Sequence, residues 1–88
     1  MTYLLIKHKV EDFDKWKAAF DAHAPAREKA EIKALYVLRE VSDPNNVFVF
    51  CEAKDLAKAN ALSSSPDMKE IAKKAGVIGQ PERYFLRD

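Results

Sequence analysis

The strand-like runs of this chain carry apolar side chains on both of their faces. From Met1 to Val10 one face reads Leu4, Ile6, His8, Val10, and the other begins Tyr3, Leu5. From Asn46 to Ala53, Val47, Val49, Cys51 and Ala53 alternate with Phe48 and Phe50. An antiparallel sheet with one wet face would instead alternate apolar with polar. Two helical regions in 88 residues can cover one face of such a sheet and no more. The other face therefore requires a partner, most simply a second copy of the chain.

Size and charge agree with that reading. A chain of 88 residues is expected to form one domain over 1–88, and a domain of this size buries only roughly 60–65% of its unfolded surface. Dimerisation would add to a marginal core. Fifteen Lys and Arg against fourteen Asp and Glu give a net charge of +1, with no basic run that would neutralise successive phosphates, so nucleic acid is not an expected partner. The single cysteine has no internal mate. The apolar start is charged by Lys7, too early for a signal peptide or a membrane span. These features together lead to the expectation of a cytoplasmic protein with no membrane partner.

Along the chain the apolar period switches between two and about three and a half. Residues 2–10 read as a strand. Phe13, Trp16, Phe20, His23 and Arg27 then follow at spacings of three and four behind Asp12, a plausible N-cap. Pro25 predicts that this helix breaks near Ala24 and resumes briefly to Lys29. A second strand is expected over 32–41, a turn at Asp43-Pro44-Asn45-Asn46, and a third strand over 47–54. Asp55 can cap a helix over 56–62, and Ser65-Pro66-Asp67 starts another that runs to Lys74 and stops at Gly76. A last strand is placed at 82–87. The order is that of an α+β, ferredoxin-like βαββαβ domain with a four-stranded antiparallel sheet and its helices on one face.

The stretch from His8 to His23, the Arg27 that follows, the Asp43-Pro-Asn-Asn-Val47 segment and the ending Ala75-Gly-Val-Ile-Gly-Gln-Pro-Glu-Arg-Tyr-Phe-Leu86 resemble the small dimeric α+β barrel proteins. Among these the chain is similar to the antibiotic-biosynthesis-monooxygenase-like group, which includes many proteins labelled only as cyclases or left uncharacterised. The resemblance covers nearly the whole chain. It implies two sheets meeting through their helix-free faces. It also implies a range of activities: cofactor-free oxygenation of polycyclic phenols, polyketide cyclisation and haem degradation. Glu31 stands where the resemblance leads one to expect Gly.

Candidate chemistry starts with His23. It shares the helical line of Phe13, Trp16 and Phe20, so it faces the sheet, where an imidazole would be partly desolvated and able to act as a general base. The competing reading is a hydrogen-bonded structural histidine. Arg27, one turn on, could hold a carboxylate or phenolate, or pair with a surface acid. Trp16 and Phe20 are candidate walls for a bound ring, or simply core. His8 is a weaker candidate on the Leu4–Ile6–Val10 face. Rise per residue places His8 about 7 Å and His23 about 15 Å from the strand–helix connection, an offset of about 8 Å that argues against a direct hydrogen bond or a shared metal. No HxH, CxxC or HExxH spacing is present, and no metal or cofactor is expected. Cys51 reads as a small buried hydrophobe.

Two classes of function fit. One is a homodimeric enzyme acting on a compact apolar or aromatic molecule held between sheet and helices, with His23 as base and Arg27, Trp16, Phe20 and His8 as binding groups. The other is a non-catalytic binding or assembly domain whose core is filled by its own aromatics. An open cavity lined by His23 and Arg27 would favour the first, and a filled core the second.

Overall fold

The computed structural model describes residues 1–88. Its elements are β1 (Thr2–Val10), α1 (Phe13–Ala22), α2 (Ala24–Lys29), β2 (Ile32–Glu40), β3 (Asp43–Ala53), α3 (Leu56–Ser63), α4 (Pro66–Lys74) and β4 (Val77–Arg87). The four strands form one antiparallel sheet in the order β2-β3-β1-β4. That is the expected ferredoxin-like α+β arrangement, with both helical regions on one side.

Local chemistry starts and stops the helices where the sequence places the signals. The Asp12 carboxylate accepts from the backbone N–H groups of Asp14 and Lys15, Asp55 from Lys58, and the Ser65 hydroxyl from Met68. Each satisfies an otherwise orphaned donor of a first turn. Pro25 sits in the first turn of α2, and α1 ends three residues before it. Gly76 (φ +88°) takes the left-handed conformation that ends α4.

The helix-covered face forms the core. Leu4, Val10, Val47, Val49, Cys51 and Ala53 are almost fully buried, joined by Trp16, Ile32 and Ala59. Each large aliphatic side chain there contributes about 1.5–3 kcal/mol. Across β1 and β3, Leu4 pairs with Cys51, Ile6 with Val49 and His8 with Val47. The other face carries Tyr3, Leu5, Phe48 and Phe50, with Tyr36, Leu38, Tyr84 and Leu86 brought beside them by the register. Nothing in the chain covers it. Tyr36 and Leu38 are 61% and 55% exposed.

Two boundaries differ from the sequence reading. The β2–β3 turn falls at Val41-Ser42, not at 43–46, because Glu40 pairs with Asp43 and Arg39 with Val47. Against β2, Pro44, Asn45 and Asn46 are extra residues of β3, although Asn46 pairs with Lys9 of β1, and an Asx turn from Asn45 N–H to the Asp43 carboxylate (3.1 Å) holds them. Their turn-forming tendency is real, but it is spent inside a strand. In the same way β4 begins at Val77, five residues before the expected start. Val77 and Ile78 pair with Val10 and Lys9, and a bulge at Gly79-Gln80-Pro81 follows before Glu82 pairs with Lys7. The glycine and proline that read as loop are the bulge itself.

Candidate functional site

The β4 bulge lies opposite His8, so the sheet is interrupted beside that residue. Bulges of this kind re-aim side chains next to sites. A cavity opens there between β1, β3, β4 and the helices. It is lined by Ile6, His8, Trp16, Phe20, His23 and Arg27 on one side, with Met68, Ile71 and Ala72 of α4 and Pro81 and Arg83 of β4 on the other. The cavity volume is about 90 Å³, and the space opens partly to solvent; an engineered, closed apolar cavity of roughly 150 Å³ admits benzene.

All five residues singled out from the sequence line this one cavity. Trp16, 5% exposed, is the centre of a ring stack. Its centroid lies 5.0 Å from that of Phe20 at 25° and 5.1 Å from that of His8 at 55°, with Phe13 behind at 5.8 Å. His8 and His23 both line this space, His8 from β1 and His23 from the cap between α1 and α2. Neither hydrogen-bonds to the other.

His8 is 8% exposed, and both of its ring nitrogens are buried without a hydrogen-bond partner. Burial, with a smaller contribution from the nearby Arg83 charge, lowers its pKa from 6.5 to about 4. It is a neutral imidazole with one idle donor and one idle acceptor. The Nδ1 of His23 is also buried and has no hydrogen-bond partner.

Arg27 is differently placed. Its guanidinium lies 3.7 Å from the Phe20 ring centroid, and Nη1 donates to the Phe20 carbonyl at 2.8 Å. It closes the C-terminal end of α1 and holds Phe20 in place. Desolvation lowers its pKa, and it has no carboxylate partner. Cys51 is buried and its thiol is pushed up to about 11 by that burial, so it is an inert neutral group.

Sequence reasoning missed Arg83. It pairs in register with Ile6, which puts it on the helix side, at the cavity, and no acid bonds to it. The signal was available: Tyr84 and Leu86 continue the aromatic open face, so alternation sends Arg83 the other way. No Asp or Glu lines the cavity.

No family model matches the chain, and no curated protein matches it in sequence. Solved structures do match. A candidate antibiotic biosynthesis monooxygenase from Bordetella bronchiseptica superposes with a TM-score of 0.73 at 13% identity, over 99% of this chain and 95% of that one. A similar candidate from Caulobacter crescentus gives 0.72 at 12%, over 97% and 86%. SnoaB, a cofactor-independent oxygenase from Streptomyces nogalater, gives 0.69 at 13%, over 99% and 93%. The chain has the fold of the antibiotic-biosynthesis-monooxygenase-like proteins.

Proposed function

We propose that the protein is a cytoplasmic homodimer that binds a compact apolar or aromatic molecule in the His8–His23 cavity, and that it works as a cofactor-free monooxygenase or cyclase-like enzyme. The observation that carries this reading is His8, a nearly buried imidazole with two idle nitrogens facing an apolar space. Buried polar groups are almost always partnered, and an orphan of this kind fits a site whose ligand supplies the partner. The likeness in fold to SnoaB, a cofactor-independent oxygenase, adds support for the oxygenase reading.

In such a reaction the protein's task is to ionise and orient the substrate. His23 takes a proton from an activated O–H or C–H, while Trp16 and Phe20 hold the ring beside it. His8, with its lowered pKa, is a weak base and serves as a hydrogen-bond partner. The small volume favours a compact ligand over a polycyclic one unless α4 moves outward. That helix buries no residue fully, so it is a loosely held wall.

The non-catalytic reading draws on one observation, the packing of the Trp16 ring against Phe20 and, at a tilt, against His8 within the cavity walls. A thermal-shift screen with phenolic, polyketide-like and haem ligands separates the two. Ligand stabilisation that disappears in His23→Ala, with folding and assembly unchanged, supports the site. No stabilisation by any of these ligands supports a filled core instead.

A further inference from the structure

The cavity's charges are one-sided. Arg83 enters from β4 and Arg27 from α2, while β1, β3 and α4 contribute His8 and otherwise apolar groups at this point. No carboxylate faces the space, and neither arginine takes part in an ion pair. The charged groups near the outer edge of His8, namely Lys7, Lys9 and Glu82, line a separate surface depression. Arg27 is bonded to the Phe20 carbonyl and stacked on its ring. The Arg83 side chain makes no hydrogen bond with the chain. A half-buried, unpaired guanidinium beside an unpartnered imidazole is costly for a fold and useful for an anion.

We infer that the cavity selects an anion on an apolar frame, with the ligand's carboxylate or phenolate oxygen held between Arg83 and His8 and its apolar body against Trp16 and Phe20. This rests on the small-molecule reading above and specifies its substrate class. The Arg83 fork supplies two parallel donors that match a carboxylate, and the neutral His8 adds a third donor through whichever nitrogen carries its proton. Bound negative charge also favours the protonated imidazole, so anion binding draws a proton onto His8. Arg27 is a positioning residue in this arrangement, acting through Phe20.

Benzoate, benzamide and benzylammonium share a ring and differ in charge, and the lone tryptophan, Trp16, reports occupancy by its fluorescence. Titrated at neutral pH, benzoate is expected to bind at least about tenfold more tightly than benzamide, in line with a charged hydrogen bond, and benzylammonium not at all. Arg83→Gln should erase the benzoate advantage over benzamide, and Arg83→Lys should restore part of it. Equal binding of benzoate and benzamide, or a preference that survives Arg83→Gln, overturns the inference and leaves a neutral-ligand cavity standing. Failure of all three rings to bind overturns the small-molecule reading and this inference together.

Discussion

His8 occupies a strand position where a leucine or valine would pack with no unmet hydrogen bond. Its neutral imidazole in an apolar wall costs the fold the desolvation of two polar atoms, of the order of 1–3 kcal/mol. His8→Leu is therefore expected to raise the melting temperature, while removing the ligand response. The pH dependence has a definite sign. Because the folded pKa is about 4 and the unfolded value 6.5, the unfolded chain binds more protons between them. Stability is then fully present above pH 6.5 and falls as the pH drops toward 4, by up to the order of 3 kcal/mol. Denaturant midpoints measured across this window should decline in the wild type and decline less in His8→Leu. A wild-type midpoint that is flat from pH 6.5 to 4 would show that His8 is not desolvated. At this scale the sequence was partly legible. Helical spacing carried Trp16, Phe20, His23 and Arg27 to one face, whereas the meeting of His8 with them depended on how that face packs across the sheet, which spacing does not encode.

At the scale of elements, the starts of α1, α3 and α4 were readable because each is fixed by one side chain within three residues of it. Asp12, Asp55 and Ser65 all cap as their positions suggest. Strand ends were less readable, since Pro44-Asn45-Asn46 and Gly79-Gln80-Pro81 have turn chemistry but are bulges, and only pairing with a distant strand decides between the two. Glu31 shows the same tension. It follows α2 at the position that closes a helix, with φ +58°, the one non-glycine residue in the left-handed region. A side chain there costs about 1 kcal/mol that glycine avoids. Its backbone N–H donates to the Glu28 carbonyl at 3.0 Å and its carbonyl accepts from Lys54 N–H at 3.2 Å, bonds that glycine keeps. Only the exposed ion pair with Lys58 would be lost, and such pairs contribute little. Glu31→Gly is thus expected to stabilise the protein by about 0.5–1 kcal/mol in chemical denaturation. A loss of stability would mean that the Lys58 pair outweighs the backbone strain.

For the whole molecule the governing fact is how little of it is inside. Only 14 of 88 residues are buried, and the accessible surface of 5792 Å² exceeds the roughly 5,200 Å² expected for a compact monomer of this mass. The excess fits a molecule 20 Å thick in its shortest dimension with one sheet face bare. That face is apolar and aromatic, with Tyr3 stacked on Phe50 at 5.3 Å and 13° and Tyr36, Leu38, Tyr84 and Leu86 around them. A stable interface needs about 800 Å² from each partner, and a four-stranded sheet face is of that order. A second copy of the chain would meet this requirement, and a net charge of only +1 per chain opposes such a pairing weakly. Phe50→Glu places a charge at the middle of this face, next to Tyr3 and opposite Leu5 and Tyr36. Desolvating an unpaired carboxylate costs several kcal/mol per interface, so the variant should lose the dimer at micromolar concentration in light scattering. The helix-covered core, which Phe50 does not enter, should keep its secondary structure by circular dichroism under conditions that stabilise the monomer. A wild-type protein that scatters as a monomer at that concentration would refute the dimer directly.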